Sequence, residues 1–394
     1  MTELDQSEPL QPAWAHSSHR SMWADLTACS EGHGPTDRQL QRLVDWELSD
    51  ADRAAVWSIT AGNVVDEIDR RLALLRSLHP SLHNFPLPGA WTDWIDLLWS
   101  FWLPLAQKLD RHQRALNAPF TQGILGGQGT GKTTLTQILQ VILAQLGHQT
   151  VALSIDDLYL TYKQRQALKQ KDPRLIWRGP PGTHDIDLGL RTLKQLKGEE
   201  SNACSGGQVS VPQFDKSLHE GQGDRTQPAQ YPTPTIVLFE GWFVGVRPLP
   251  EAVFAQSNHL PEPIVSAADR AFARDCNRQL QLYLPLWDCL DSLMVLHPQD
   301  YRLSQRWRQQ AEHKMKAQGK SGLSDAEINK FVMYFWKALH PQLFIQPLIH
   351  SPQANLIVAI CQDHRPSRLY LSSNGNPGEI FRAAAWPYFC LGFV

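Results

Sequence analysis

Apolar positions change their rhythm near residue 119. Upstream they recur at helical spacing, as in 44–48 and 64–78, with a proline-rich break around Pro80, Pro86 and Pro88. Trp91, Trp94, Leu97, Leu98, Phe101, Trp102 and Leu105 keep that spacing with a wide aromatic face, which predicts a helix packed into a core. Downstream, short apolar runs alternate with helical periodicity, the pattern of βαβ units and a mostly parallel sheet. Strands are expected at 121–125, 150–155, 235–239, 292–296 and 355–361. Between the first two, Leu135, Ile138, Leu139, Ile142, Leu143 and Leu146 form an i, i+3, i+4, i+7 stripe that Gly147 closes as a C-terminal cap.

Further helices are expected at 187–196, 267–284, 301–317 and 325–339. The last opens with a capping box, Ser324 with Glu327. Residues 199–234 turn to Gly, Ser, Pro and Gln, a connection long enough to be functional or mobile, in which Gly206-Gly207 reads as flexible. These patterns divide the chain into an N-terminal helical region (1–118), an α/β domain (119–370) and a tail (371–394) that matches no recognisable element.

The 394 residues suit two domains and a real core, and 37 basic against 39 acidic side chains leave a net charge of -2. That balance argues against a nucleic-acid binder, whose footprint is strongly basic. No run reaches the ~18 apolar residues of a membrane span. The first ten residues carry Glu3, Asp5 and Glu8 and resemble neither a signal nor a transit peptide. Six scattered cysteines lack metal-ligand spacing, which fits reduced thiols and a cytoplasmic location.

Chemistry enters at Gly126-Gly127-Gln128-Gly129-Thr130-Gly131-Lys132-Thr133, a full G-x-x-x-x-G-K-[ST] between an expected strand and an expected helix. Its glycines let backbone N–H groups turn around phosphate oxygens, and the helix end adds positive charge. Lys132 is expected to reach the β and γ oxygens of ATP, and the Thr133 hydroxyl to hold Mg²⁺, with Thr134 in the first helical turn. The fold expected is therefore a P-loop NTPase-type sheet flanked by helices.

Strand ends form the ligand crevice of such sheets. The second strand ends in Asp156-Asp157-Leu158-Tyr159, which makes Asp156 a candidate base and Asp157 a partner for substrate or metal water; helix capping is the competing use of either acid. The strand at 235–239 runs into Glu240, a candidate Mg²⁺ acid of Walker B type. Arg178, His184 and Asp185 sit in a rigid Pro/Gly loop, and Asp215, Lys216 and Arg225 follow. Arg178, Lys216 and Arg225 suit a carboxylate or polyphosphate. The helix at 301–317 carries Arg302, Arg306 and Arg308, a candidate lid.

Taken together, the loop at 126–133, Asp156-Asp157-Leu158-Tyr159, Pro181-Gly182-Thr183-His184-Asp185, Phe214-Asp215-Lys216-Ser217 and Glu240-Gly241-Trp242 resemble the plant-type D-glycerate 3-kinase family, over about residues 119–370. That family is similar to phosphoribulokinase, uridine kinase and pantothenate kinase. The resemblance implies transfer from Mg-ATP to the 3-hydroxyl of D-glycerate in photorespiratory carbon salvage. It also implies Asp156 near the acceptor hydroxyl, Glu240 as the Walker B acid, and Arg306 and Arg308 on a catalytic lid helix. The rival readings are a related small-molecule kinase and an ATP-binding regulatory switch. Oligomeric state is not read from the sequence.

Overall fold

The computed structural model describes residues 20–32, 34–82, 87, 89–199, 208–255, 260–317 and 322–372. Gly206-Gly207 and all but the first two residues of the tail lie outside them. The chain enters through helices α1 (Arg20–Ser30), α2 (Asp37–Leu48), α3 (Ala51–Trp57) and α4 (Val64–Leu82). A short α5 (Ile95–Leu97) passes through a π-helical turn (Leu98–Trp102) into α6 (Leu103–Leu116). The widened turn falls just before Pro104, which lacks the N–H an α-helix would use there. Leu97, Leu98, Phe101, Trp102 and Leu105 are buried, as their spacing predicts, and Trp99, outside that stripe, is buried as well.

The α/β part follows as β1 (Phe120–Gly126), α7 (Lys132–Gln145), β2 (Thr150–Ser154), α8 (Tyr162–Lys171) and α9 (Ile186–Leu196). Four short strands come next: β3 (Gln208–Val211), β4 (Phe214–Asp215), β5 (Asp224–Arg225) and β6 (Ala229–Pro232). Then come β7 (Ile236–Gly241), α10 (Ala267–Gln279), α11 (Leu284–Trp287), β8 (Ser292–Pro298), α12 (Leu303–Ala317), α13 (Asp325–Ala338), α14 (Pro341–Ile349), β9 (Leu356–Ile360) and β10 (Pro366–Tyr370). The main sheet has the order β10-β9-β8-β1-β7-β2 and is parallel throughout except for the β9/β10 pair.

Period-two alternation sorts the strand side chains into two cores. Ile124, Ile236, Leu238, Met294, Leu296 and Val358 point to the face covered by α7, which the N-terminal helices cover in turn. Leu125, Val237, Phe239, Leu293, Val295 and Ile357 point to the face covered by α9, α11 and α14. Both faces are buried, so these strands read as continuous apolar runs. Ion pairs from Arg365 to Asp96 and from Arg368 to Asp52 tie the β10 side of the sheet to the N-terminal helices.

Five main-sheet strands fall where the runs place them. Gly147 adopts φ +87 behind α7, and Ser324 and Glu327 close their capping box. The helix expected over 267–284 stops at Gln279 and tightens into a 3-10 turn (Leu280–Tyr283) that leads into α11, where Pro285 suits the first turn because its missing N–H has no helical partner there. The sequence pattern did not reveal α8, which buries no residue, α14, which holds Pro341 and Pro347, or β10, which begins with proline. Within the long 199–234 connection the described residues form two small antiparallel ladders, β3/β6 and β4/β5.

Candidate active site

The loop after β1 has the shape that phosphate binding demands. Gly129 and Gly131 take φ +78 and +83, a region costly for any residue with a Cβ. A Cβ on Gly126 would meet Thr130 Oγ1 at 2.5 Å, whereas the space beside Gly127 is open. Thr130 braces the loop by donating Oγ1–H to the Gly127 carbonyl at 2.8 Å. These positions leave a cradle that fits a polyphosphate and that side chains would fill.

Lys132 opens α7 and donates Nζ–H to the Gly127 carbonyl at 3.0 Å. Burial pushes its pKa down while the charges of Glu240 and Asp156 push it up; the net shift is downward. Thr133 donates Oγ1–H to Glu240 Oε1 at 3.2 Å. Glu240 is the penultimate residue of β7, beside Ile124 of β1 and Ser154 of β2, so parallel register carries the acid toward the mouth of the loop. One hydroxyl and one carboxylate, completed by phosphate and water oxygens, suit Mg²⁺, which rarely takes an all-protein cage. Among the described residues no cluster of three His, Cys, Asp or Glu side chains forms such a cage.

The two adjacent acids after β2 have separate tasks. Asp157 accepts the backbone N–H groups of Ser154 and Phe214, both at 3.2 Å, so it caps the turn and anchors β4. Burial still pushes its pKa up to about 6. Asp156 faces the cleft, where it accepts Tyr159 Oη–H at 2.8 Å and Lys216 Nζ–H at 2.6 Å. Burial alone would raise its pKa, but the charge and hydrogen bond of Lys216, with help from Tyr159, hold it below the usual carboxylate range. An anion therefore waits beside Lys132 with a cation already on it.

The remaining substrate-side candidates divide. Tyr159 and His184 stack at 4.6 Å, with Phe214 edge-on to Tyr159 at 5.1 Å. Arg178 lies over the Tyr159 and Phe214 rings and donates to the Gly221 and Gln222 carbonyls at 2.7 and 2.8 Å. Three of the candidates already have partners within the protein. Arg225 is occupied by Asp185 and by the Tyr159 carbonyl, each at 2.8 Å, so it knits loops together. Asp185, besides that pair, caps α9 through the Leu188 N–H. Asp215 accepts the Ser217 N–H and hydroxyl in an exposed turn.

On the basic helix the two arginines have different surroundings. Arg308 pairs with buried Glu312 at 3.1 Å and lies over Phe331, while Arg306 is exposed. The residue that reaches the phosphate loop is the one between them. Buried Trp307 packs against Gly129, stacks on His364 at 4.5 Å and donates Nε1–H to the Gln362 carbonyl. His364 bonds through Nδ1 to the Gly129 carbonyl at 2.9 Å. Nothing in the spacing of α12 distinguishes Trp307 from any other core tryptophan. Gly179, with φ +130, lies so close to Phe335 of α13 that a Cβ would come within 2.3 Å of its ring.

A parallel sheet with a glycine cradle, a loop lysine and strand-end acids at one edge defines a P-loop kinase, an ATP-dependent phosphotransferase. Comparisons with known proteins agree. No family model matches the sequence. The chain is 33% identical over 236 residues to the uncharacterized kinase mug58 of Schizosaccharomyces pombe, covering 82% of that protein and 58% of this one. It is 33% identical over 260 residues to the chloroplastic D-glycerate 3-kinase of Arabidopsis thaliana. That match takes in 63% of this chain but only 54% of the plant protein, so the chain spans about half of its length. The solved D-glycerate 3-kinase of Cryptococcus neoformans superposes with a TM-score of 0.60 at 26% identity, over 68% of this chain and 99% of that one. The chain belongs to the D-glycerate 3-kinase family of P-loop kinases.

Proposed function

We propose that the protein transfers the terminal phosphoryl group of ATP to the 3-hydroxyl of D-glycerate, giving 3-phosphoglycerate and ADP. The observation that carries this reading is the Asp156–Lys216 pair, an acid and a cation 2.6 Å apart at the mouth of the phosphate loop. Glycerate brings a hydroxyl for the first and a carboxylate for the second. The relatives whose names specify D-glycerate support the choice of acceptor.

In this mechanism the loop amides and the Lys132 ammonium hold the phosphates of ATP and stabilise charge on the group in transit. Thr133 and Glu240 would hold Mg²⁺, which when bound neutralises phosphate charge. Asp156 orients the 3-hydroxyl and takes its proton as the oxygen bonds to phosphorus and ADP departs. Lys216 leaves Asp156 for the substrate carboxylate, and losing that cation makes Asp156 a stronger base at the moment a base is needed. Positioning supplies most of the acceleration.

The test is ATP-dependent conversion of D-glycerate by the purified protein, with the phosphorylated carbon identified by NMR. Phosphate on the 3-oxygen supports the assignment. ADP release that depends on a different small acceptor would replace D-glycerate with that acceptor. Hydrolysis indifferent to every acceptor would remove the kinase mechanism altogether.

A further inference from the structure

Tyr283 is fully buried at the turn between α10 and α11, 99 residues from His184, and its Oη lies 2.7 Å from His184 Nδ1. The same oxygen accepts the Gly182 N–H at 2.9 Å. A backbone amide can only donate, so one lone pair of Oη is taken, and the phenolic hydrogen still needs an acceptor. His184 Nδ1 provides it if it carries no proton. The neutral ring then carries its hydrogen on Nε2. Burial pushes the His184 pKa down to about 3, in keeping with a ring that stays neutral, and Asp156 is the one charge that counters this.

His184 is itself buried at 5% exposure, and its Nε2 has no hydrogen-bond partner among the described residues. The ring is wedged by stacking on Tyr159, whose hydroxyl is bonded to Asp156, and by edge contacts with Phe243 and Tyr283. Leaving a buried N–H donor unpaired is costly, and a rigidly held one is a ready contact for a ligand oxygen.

We propose that Tyr283 is a positioning residue that locks His184 as the Nε2–H tautomer, and that this N–H is an uncharged donor to an oxygen of the phosphoryl acceptor. The assignment rests on the Asp156 cleft being the acceptor site. An uncharged donor suits that place because it binds substrate oxygen without pairing with Asp156 as a second cation would.

The test has two arms. In the first, two-bond proton–nitrogen correlations of the ¹⁵N-histidine-labelled full chain report which His184 nitrogen is protonated, with His184→Gln giving the resonance assignment. The expected result is Nε2–H in the free protein and a shift of that resonance on saturation with D-glycerate in the presence of a non-hydrolysable ATP analogue. A proton on Nδ1, or an Nε2 resonance indifferent to the acceptor, overturns the proposal. In the second arm, His184→Leu raises the KM for the acceptor about tenfold with the KM for ATP unchanged, as loss of one neutral hydrogen bond implies. His184→Gln restores much of the loss by returning an N–H, and Tyr283→Phe raises the acceptor KM by a smaller factor while mixing the tautomers. Equal effects on both substrates, or no rescue by Gln, mark a structural role and overturn it. Should D-glycerate not be turned over by the native enzyme, the substrate assignment alone fails, and both arms are run with the acceptor that is.

Discussion

Alanine at Gly129 and alanine at Gly131 should differ in cost, although both glycines adopt positive φ in the same loop. At Gly131 a Cβ meets nothing within 4 Å, so the substitution pays only for a left-handed backbone, about 1–2 kcal/mol. At Gly129 the new Cβ would sit 2.5 Å from Trp307 Cβ and 3.4 Å from its Cγ and Cε3. Trp307 has little room to withdraw, since its ring is stacked on His364 and its Nε1–H is bonded to Gln362. Overpacking of this kind adds about 1–3 kcal/mol, for a total near 2–5 kcal/mol. Urea unfolding of the two variants at unchanged m measures the difference directly. The packing account also requires that Gly129→Ala cost less when Trp307→Ala is already present, because the cavity accepts the methyl group. Equal midpoints for Gly129→Ala and Gly131→Ala, or strict additivity with Trp307→Ala, would refute the claim that α12 buttresses the phosphate loop.

Lys132→Ala should lower kcat by about 100-fold or more while moving the unfolding midpoint little, since it removes a cleft charge and no core contact; near-native turnover contradicts its assigned role. Asp156→Asn should reduce kcat far more than it weakens ATP binding, and the reverse pattern in steady-state and binding assays would remove it as the base. Arg225→Ala should destabilise the fold by about 1–3 kcal/mol, because the partly buried Asp185 and the Tyr159 carbonyl lose their partner, with the KM for ATP unchanged. Acid should weaken the fold early. Burial pushes His184 to about 3 and His297 and His340 to about 4, so below pH 6.5 the unfolded chain binds protons that the folded chain refuses. Each such histidine costs about 1.4 kcal/mol per pH unit, while Asp157, raised to about 6, offsets one of them below pH 6. Stability measured in urea should therefore fall by about 3 kcal/mol from pH 6 to pH 5, and a flat profile there contradicts the buried neutral rings.

The phosphate loop, Glu240 and five strands of the main sheet could be read from the chain because each is specified by neighbours in sequence. A glycine cradle needs its glycines within a few residues, and a strand buried on both faces needs an unbroken apolar run. Partner choice across long separations is a different matter. Arg178, Lys216 and Arg225 look alike as isolated cations, yet packing commits Arg225 to Asp185 forty residues away and leaves Lys216 on Asp156. Likewise Asp156 and Asp157 are adjacent in sequence, but the turn after β2 spends one on backbone amides and aims the other into the cleft. Tyr283 and Trp307 carry no signal of their own; they matter because the turn after α10 delivers one to His184 and α12 presses the other against Gly129. Local sequence determined where phosphate chemistry can occur. Only the three-dimensional packing, which decides which polar groups satisfy one another and which remain free, determined the side chains left to meet a substrate.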